Sequence, residues 1–114
     1  METAYYRESG SGPAVVCLHA NASTSGQWRA LMERMSDRFR VIAVDTYGAG
    51  KSPAWPNDRE LRLADEVALL EPVFQAAGRR FHLVGHSYGG AIALKAALAY
   101  GDRVESMALF ERPS

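Results

Sequence analysis

One serine in the sequence is flanked by glycines at a spacing that suits a nucleophile. Gly85 and Gly89 lie two residues before and two residues after Ser87, in the pattern G-x-S-x-G. An apolar run at 81–84 predicts a strand before the pattern, and small and apolar residues at 88–100 predict a helix after it. Where a strand turns directly into a helix, the apex residue is strained and its neighbours two positions away must be tiny. The pattern therefore predicts that Ser87 projects from a sharp turn at a helix N-terminus, where its hydroxyl can act as a nucleophile. The alternative is a tight structural turn that contains an incidental serine.

A second loop could stabilise the charge that develops in such a reaction. A predicted strand at 14–19 runs into Ala20-Asn21-Ala22-Ser23. Acyl transfer needs two backbone N–H donors aimed at the developing oxyanion. We expect one donor from Tyr88, directly after the nucleophile, and the other from Asn21. The residues that we expect to support this site without reacting are His19, Gly85, His86 and Gly89.

The sequence contains three histidines, and none is placed to serve as the general base for Ser87. The backbone of His86 is fixed within the turn, so its side chain cannot fold back onto the serine. His82 lies about five residues back along the strand, or ~16 Å at the rise of a strand. His19 is interpreted as a residue that holds the loop before Asn21. We therefore expect the 114 residues alone to show only residual turnover.

The segment Gly48-Ala49-Gly50-Lys51-Ser52 resembles the end of a phosphate-binding loop, because G-K-S follows a predicted strand at 41–45. A phosphate-binding loop also needs a glycine where this chain has Asp45, and a helix that begins at the Lys-Ser pair. Pro53 and Pro56 follow instead. We interpret 47–57 as a tight loop beside the active-site mouth, and we keep phosphate binding as a competing hypothesis.

Short apolar runs alternate with amphipathic stretches along the chain, which indicates βαβ units and a parallel sheet. Strands are predicted at 3–8, 14–19, 41–45, 81–84 and 106–110. Helices are predicted at 26–39, at 58–77 with an interruption at Pro72, and at 88–100, the last of them buried on most sides.

Charge and cysteine content exclude several classes of function. Lys and Arg together number 13, as do Asp and Glu, so no net charge favours nucleic acid or an anionic membrane. The one cysteine, Cys17, lies in an apolar run and is interpreted as a small core residue. The N-terminus has no basic-then-apolar pattern, and no apolar run approaches the ~20 residues that span a bilayer. We expect a cytoplasmic protein with no cofactor and no metal.

Three motifs together resemble the α/β-hydrolase superfamily, in particular its cap-bearing branch of esterases and related hydrolases. They are Leu18-His19-Ala20-Asn21, Asp45-x-x-Gly48-x-Gly50-x-Ser52 and Gly85-His86-Ser87-Tyr88-Gly89-Gly90. Ala20 departs from the glycine that is usual in this family. The closing Ala108-Leu109-Phe110-Glu111 looks like the strand before the cap.

The resemblance implies an α/β fold with a doubly wound, mostly parallel sheet and helices on both faces. It implies about four parallel strands plus an N-terminal edge strand, with residues 1–114 forming the N-terminal part of one domain that lacks the cap and the C-terminal strands. It also implies that the triad acid and histidine lie on later strands. Glu111 occupies the place where some members keep their acid.

Two hypotheses from different classes follow. The first is a serine hydrolase that acts on an ester-like or other acyl carbonyl substrate through a Ser87 acyl-enzyme. The second is a non-catalytic binding protein, or a truncated product, that retains the fold. The partners that we expect are a small-molecule acyl substrate, no nucleic acid and no membrane, with self-association through the exposed sheet edge.

Overall fold

Five strands form one sheet in the computed structural model, which describes residues 3–56 and 58–111. The strands are β1 (Tyr6–Ser9), β2 (Ala14–Leu18), β3 (Arg40–Val44), β4 (Phe81–His86) and β5 (Val104–Phe110). Their spatial order is β1-β3-β2-β4-β5. β1 pairs antiparallel with β3, and the other three pairings are parallel. The prediction of four parallel strands with an N-terminal edge strand is confirmed.

The carboxyl ends of the parallel strands meet at one edge of the sheet. Leu18 at the end of β2 pairs with Val44 on one side and with Gly85 on the other, and His86 pairs with Phe110. The loops that follow β2 and β3, and the turn that follows β4, therefore start side by side. This edge is where open α/β sheets bind their ligands.

The helix predicted at 88–100 has its predicted bounds, and the other predicted helices are shorter in the structure. The helices are α1 (Arg29–Met35), which follows a 3-10 turn at Ser25–Trp28, α2 (Leu63–Leu69), α3 (Glu71–Ala77) and α4 (Tyr88–Tyr100). A second 3-10 turn, Gly101–Arg103, leads into β5. None of the helices within the described ranges is long and apolar enough to cross a membrane.

Alternating side chains of the strands build two cores, one on each face of the sheet. Val15 and Cys17 of β2 pack on one face with Trp28 and the apolar side of α1. Val16 and Leu18 pack on the other face with residues of α2, α3 and α4. Helices therefore cover both faces, as predicted. Burial raises the pKa of the Cys17 thiol to about 12, which agrees with its interpretation as a core residue.

The predicted interruption of the helix at 58–77 is confirmed. Helix α2 ends at Leu69 and α3 begins at Glu71, so Pro72 lies in the first turn of α3. A proline is tolerated there because that turn has no intrahelical acceptor for the missing N–H. The helix starts at Leu63 rather than at Asp58, and the predicted end of the preceding loop, Asn57, lies outside the described residues.

The expectation that the helix at 88–100 is buried on most sides is wrong. Its bounds match α4, but Leu94 is 49% exposed and Leu98 is 83% exposed. Leu109 and Phe110 of the edge strand β5 are also exposed. An apolar composition shows that a helix can be buried, but each side of the helix is buried only where another element packs against it. The described part of the chain covers α4 only on the sides that face the sheet and α2.

Candidate active site

Ser87 is the apex of a turn that has no connecting residues. β4 ends at His86 and α4 begins at Tyr88, and Ser87 between them has φ 56° and ψ −114°. A positive φ is uncommon and costly for a residue with a Cβ. The Ser87 N–H donates to Phe110 O at 2.8 Å, so the end of β5 holds the turn in place. The predicted position of Ser87 at a strained, exposed strand–helix junction is confirmed, whereas its role as a nucleophile stays a prediction.

The two flanking glycines are required by close backbone contacts. A Cβ on Gly85 would lie 2.5 Å from Gly89 O, inside α4. A Cβ on Gly89 would collide with the carbonyl groups of Leu18 and His19 at the end of β2. The G-x-S-x-G spacing therefore lets β4, α4 and β2 approach one another where the serine projects.

The loop after β2 is held by His19, which is 1% exposed. His19 Nδ1 lies 2.8 Å from Ala20 O, and Thr46 N–H donates to His19 Nε2 at 3.1 Å. A carbonyl oxygen only accepts and an amide N–H only donates, so Nδ1 carries the ring hydrogen. Both ring nitrogens are thus used to join the loops after β2 and β3. This arrangement agrees with a supporting role for His19 and leaves it no free nitrogen for Ser87.

The structure brings Asn21 and Tyr88 to one cavity of about 410 Å³. Neither backbone N–H has a hydrogen-bond acceptor within residues 3–56 and 58–111. Ser87 lines a different cavity of about 470 Å³, together with Phe110 and Glu111. The two residues with unused amides and the exposed Ser87 therefore line different cavities. Their joint use as an oxyanion hole stays a prediction.

Sequence reasoning missed Glu66, a buried carboxylate that lines the same cavity as Asn21 and Tyr88. Its Oε1 accepts from Tyr47 N–H at 3.1 Å, and its Oε2 accepts from Tyr88 OH at 2.8 Å. Burial raises the pKa of Glu66, and these two hydrogen bonds oppose the rise. Burial, and then the bond to Glu66, raise the pKa of the Tyr88 phenol. The available signal was helical spacing, since Glu66 lies between Leu63 and Leu70 on the apolar face.

The loop after β3 closes on Asp45 rather than on a phosphate. The Asp45 carboxylate accepts from Ser25 N–H at 2.7 Å and from Lys51 N–H at 3.0 Å. Ser52 Oγ donates to Asp45 O and accepts from Tyr5 N–H. No helix begins at Lys51 or Ser52. The phosphate-loop reading of this segment is therefore wrong, because an acidic side chain already takes the amide that would face an anion.

The other two histidines form hydrogen bonds with partners other than Ser87. His86 Nδ1 lies 2.6 Å from Gln27 Nε2, and His82 Nδ1 lies 2.6 Å from Ser106 Oγ. In the part of the chain that the structure describes, no imidazole forms a hydrogen bond with Ser87 Oγ. The described residues also contain no cluster of three or more His, Cys, Asp or Glu side chains that could hold a metal.

A sequence model of the alpha/beta hydrolase fold matches residues 13–112. The chain belongs to the α/β-hydrolase fold family. A 2-(acetamidomethylene)succinate hydrolase of Mesorhizobium japonicum is 40% identical over 89% of this chain and 36% of its own length. A pimeloyl-[acyl-carrier protein] methyl ester esterase of Nitrosomonas europaea is 32% identical over 96% of this chain and 41% of its own length. The chain therefore spans about two fifths of the length of these α/β-hydrolase relatives.

Solved structures agree with this assignment. An α/β hydrolase from Sphaerobacter thermophilus superposes with a TM-score of 0.81 at 31% identity, over 93% of this chain and 40% of that one. An esterase from a marine microorganism superposes with a TM-score of 0.87 at 22% identity, over 96% of this chain and 41% of that one, which shows the fold alone. The chain thus has an incomplete α/β-hydrolase fold that corresponds to the N-terminal part of the complete one, as the motif set implied.

We predict that Gly89→Ala destabilises the chain and that Gly90→Ala does not. A Cβ at Gly89 collides with the backbone of β2, and overpacking of this kind costs about 1–3 kcal/mol. A Cβ at Gly90, one residue on, meets nothing closer than 3.7 Å and replaces a helical glycine, which favours the helix by about 0.5–1 kcal/mol. Urea unfolding of both variants measures the difference, and equal unfolding midpoints would contradict the close approach of α4 and β2.

We also predict that Glu66 makes stability fall as the pH rises. Its pKa is raised in the folded chain, so the folded state keeps this proton to a higher pH than the unfolded state does. The free energy of unfolding should therefore decrease from the ordinary glutamate range, about pH 4.3, up to the raised value.

The variant Glu66→Gln should lose this decrease, and the exposed control Glu33→Gln should retain it. Urea unfolding between about pH 4 and 8 measures both variants. Identical pH profiles for Glu66→Gln and Glu33→Gln would show that the buried carboxyl has an unshifted pKa.

Proposed function

We propose that this chain carries the nucleophile and the oxyanion hole of a serine hydrolase that acts on an ester-like or other acyl carbonyl substrate. The observation that carries the proposal is the strained, exposed Ser87 at the N-terminus of α4, next to an unused amide at Tyr88. A strained backbone persists only where the surrounding structure enforces it, and such residues cluster at active sites. The relatives named as a methyl ester esterase and a hydrolase support this reaction class.

In the proposed reaction, Ser87 Oγ attacks the carbonyl carbon while a general base takes its proton. The oxyanion that forms accepts hydrogen bonds from the amides of Asn21 and Tyr88. The base returns the proton to the leaving group, and an acyl group remains on Ser87. Water then attacks the acyl-enzyme by the same route and regenerates the hydroxyl.

The proposed reaction needs a base and an orienting acid from outside the described residues. His19 and His86 hold loops, and His82, on the strand that leads to the turn, is hydrogen-bonded to Ser106 of β5. Glu111 lines the cavity of Ser87 but has no imidazole there to orient. We therefore propose that residues 1–114 alone are close to inactive, which also keeps a non-catalytic binding protein as the alternative.

The other properties expected from the sequence belong to the same proposal. They are a cytoplasmic location, a small-molecule acyl substrate, no cofactor, and self-association through the apolar edge of β5. The exposure of Leu109 and Phe110 on that strand supports the last of these.

We predict that added imidazole restores Ser87-dependent ester cleavage to the chain. Imidazole can act as a general base in solution and so replace the side chain that the described residues do not supply. Cleavage of p-nitrophenyl acetate is followed by absorbance, and the acyl group is located by peptide mass spectrometry. Without imidazole the rate should stay near the ~10³–10⁴-fold acceleration over water that remains without a complete triad.

Two serine variants separate this reaction from cleavage by imidazole alone. Ser87→Ala should lose the imidazole-dependent increase above the protein-free rate. Ser106→Ala should keep it, although Ser106 is the serine that bonds an imidazole in the structure. If Ser106→Ala loses the imidazole-dependent increase in rate and Ser87→Ala keeps it, the proposed nucleophile is rejected. Turnover of ~1–10³ s⁻¹ without imidazole would show that the chain contains a base.

A further inference from the structure

The side chain of Gln27 connects the loop after β2 with the turn after β4. Gln27 Oε1 accepts from Ala20 N–H at 2.9 Å. Gln27 Nε2 lies 2.6 Å from His86 Nδ1. The side-chain amide of Gln27 is thus hydrogen-bonded both to Ala20, the residue before Asn21, and to His86, the residue before Ser87.

The chemistry of the partners fixes the orientation of this amide. The Ala20 N–H only donates, so the oxygen of Gln27 must face it and the NH₂ group must face His86. His86 Nδ1 must then accept, which leaves the ring hydrogen on Nε2. The bridge is therefore complete in only one arrangement of the amide and the ring.

The turn that carries Gln27 is itself held at both ends. Thr24 Oγ1 accepts from Gly26 N–H at 3.1 Å, and Thr24 O accepts from Gln27 N–H at 3.0 Å. Ser25 N–H donates to the buried carboxylate of Asp45. Gln27 therefore projects from a backbone that is fixed relative to the loop after β3.

Both peptide groups that flank the Cα of Ala20 form hydrogen bonds. Its N–H is held by Gln27, and its carbonyl accepts from His19 Nδ1 and from Ser23 N–H. That carbonyl belongs to the peptide group that also carries the Asn21 N–H. Holding Ala20 at both ends restricts its two backbone torsions and hence the direction of the Asn21 amide.

We propose that Gln27 is a positioning residue that sets the Asn21 amide relative to the Tyr88 amide through Ala20 and His86. The inference rests on the proposed function, because the role of those two amides belongs to it. Gln27 touches neither the substrate nor Ser87 in this account. It acts by making the two halves of the oxyanion hole move as one unit.

The test compares four forms of the chain. They are the wild type, Gln27→Ala, Gln27→Glu, and the exposed control Gln75→Ala on α3. The first readout is imidazole-dependent acylation of Ser87 by p-nitrophenyl acetate. The second is the ¹⁵N NMR spectrum of the His86 ring, which reports which nitrogen carries hydrogen. Thermal unfolding of each form accompanies both readouts.

Gln27→Ala should lower the Ser87-dependent rate by about tenfold to a hundredfold, the size of effect that a misplacement of about 1 Å produces. Gln75→Ala should match the wild type. Gln27→Glu should recover most of the rate, because a carboxylate accepts from both Ala20 N–H and His86 Nδ1. The ring hydrogen of His86 should then lie on Nδ1 in Gln27→Glu and on Nε2 alone in the wild type. A Gln27 that is not hydrogen-bonded to His86 predicts no such transfer, and a Gln27 that only stabilises the fold predicts a rate that follows thermal unfolding alone.

The proposal is overturned if Gln27→Ala reacts within twofold of Gln75→Ala, or if His86 Nδ1 carries hydrogen in the wild type. If Gln27→Ala does not fold, Gln27→Glu decides: recovery with the ring hydrogen on Nδ1 supports the proposal, and a rate more than tenfold below the wild type rejects it. Wild-type acylation that equals that of Ser87→Ala rejects the proposed function instead. The His86 ring and the Asn21 amide signals then still show whether Gln27 holds the loop.

Discussion

The strained turn at Ser87 is the constraint on which the rest of the site depends. A strand that becomes a helix without a linker forces a positive φ on the apex residue, a conformation that costs about 1–3 kcal/mol. The turn can form only because Gly85 and Gly89 let α4 lie directly against β4 and the end of β2. The bond from Ser87 N–H to Phe110 O adds β5 to the same contact. Three strands and one helix thus converge on one side chain, which leaves the serine hydroxyl at the end of the sheet where ligands bind.

Polar side chains between the loops, all of them buried except the half-buried Gln27, give this edge of the sheet its shape. His19 joins the loops after β2 and β3, and Asp45 joins the loop after β3 to the turn before α1. Glu66 joins that loop to Tyr88, and Gln27 joins the loop after β2 to the turn after β4. A buried polar group without a partner costs about 1–3 kcal/mol, so each of these contacts opposes separation of the loops. The loops that surround Ser87 are held mainly by hydrogen bonds between side chains and backbone.

The sequence predicted those features that depend on neighbouring residues. The turn at Ser87, the bounds of α4 and the interruption at Pro72 all follow from local steric rules, and the structure agrees with them. Individual side-chain contacts between distant residues were missed. Tyr88 and Glu66 are 22 residues apart, and Gln27 and His86 are 59 residues apart, so no local pattern pairs them. The exposed side of α4 was missed for a related reason, because composition does not show which elements will cover a helix.

The central claim is that Ser87 and the amides of Asn21 and Tyr88 act on one carbonyl group. The most direct measurement is a crystal structure of the chain after Ser87 has been modified by a fluorophosphonate in the presence of imidazole. The phosphoryl oxygen of the adduct stands in for the oxyanion of the tetrahedral intermediate. The account predicts that this oxygen lies about 2.7–3.1 Å from both amide nitrogens. An adduct on another residue, or amide nitrogens more than about 8 Å apart, which one oxygen cannot bridge at hydrogen-bond distance, would contradict it.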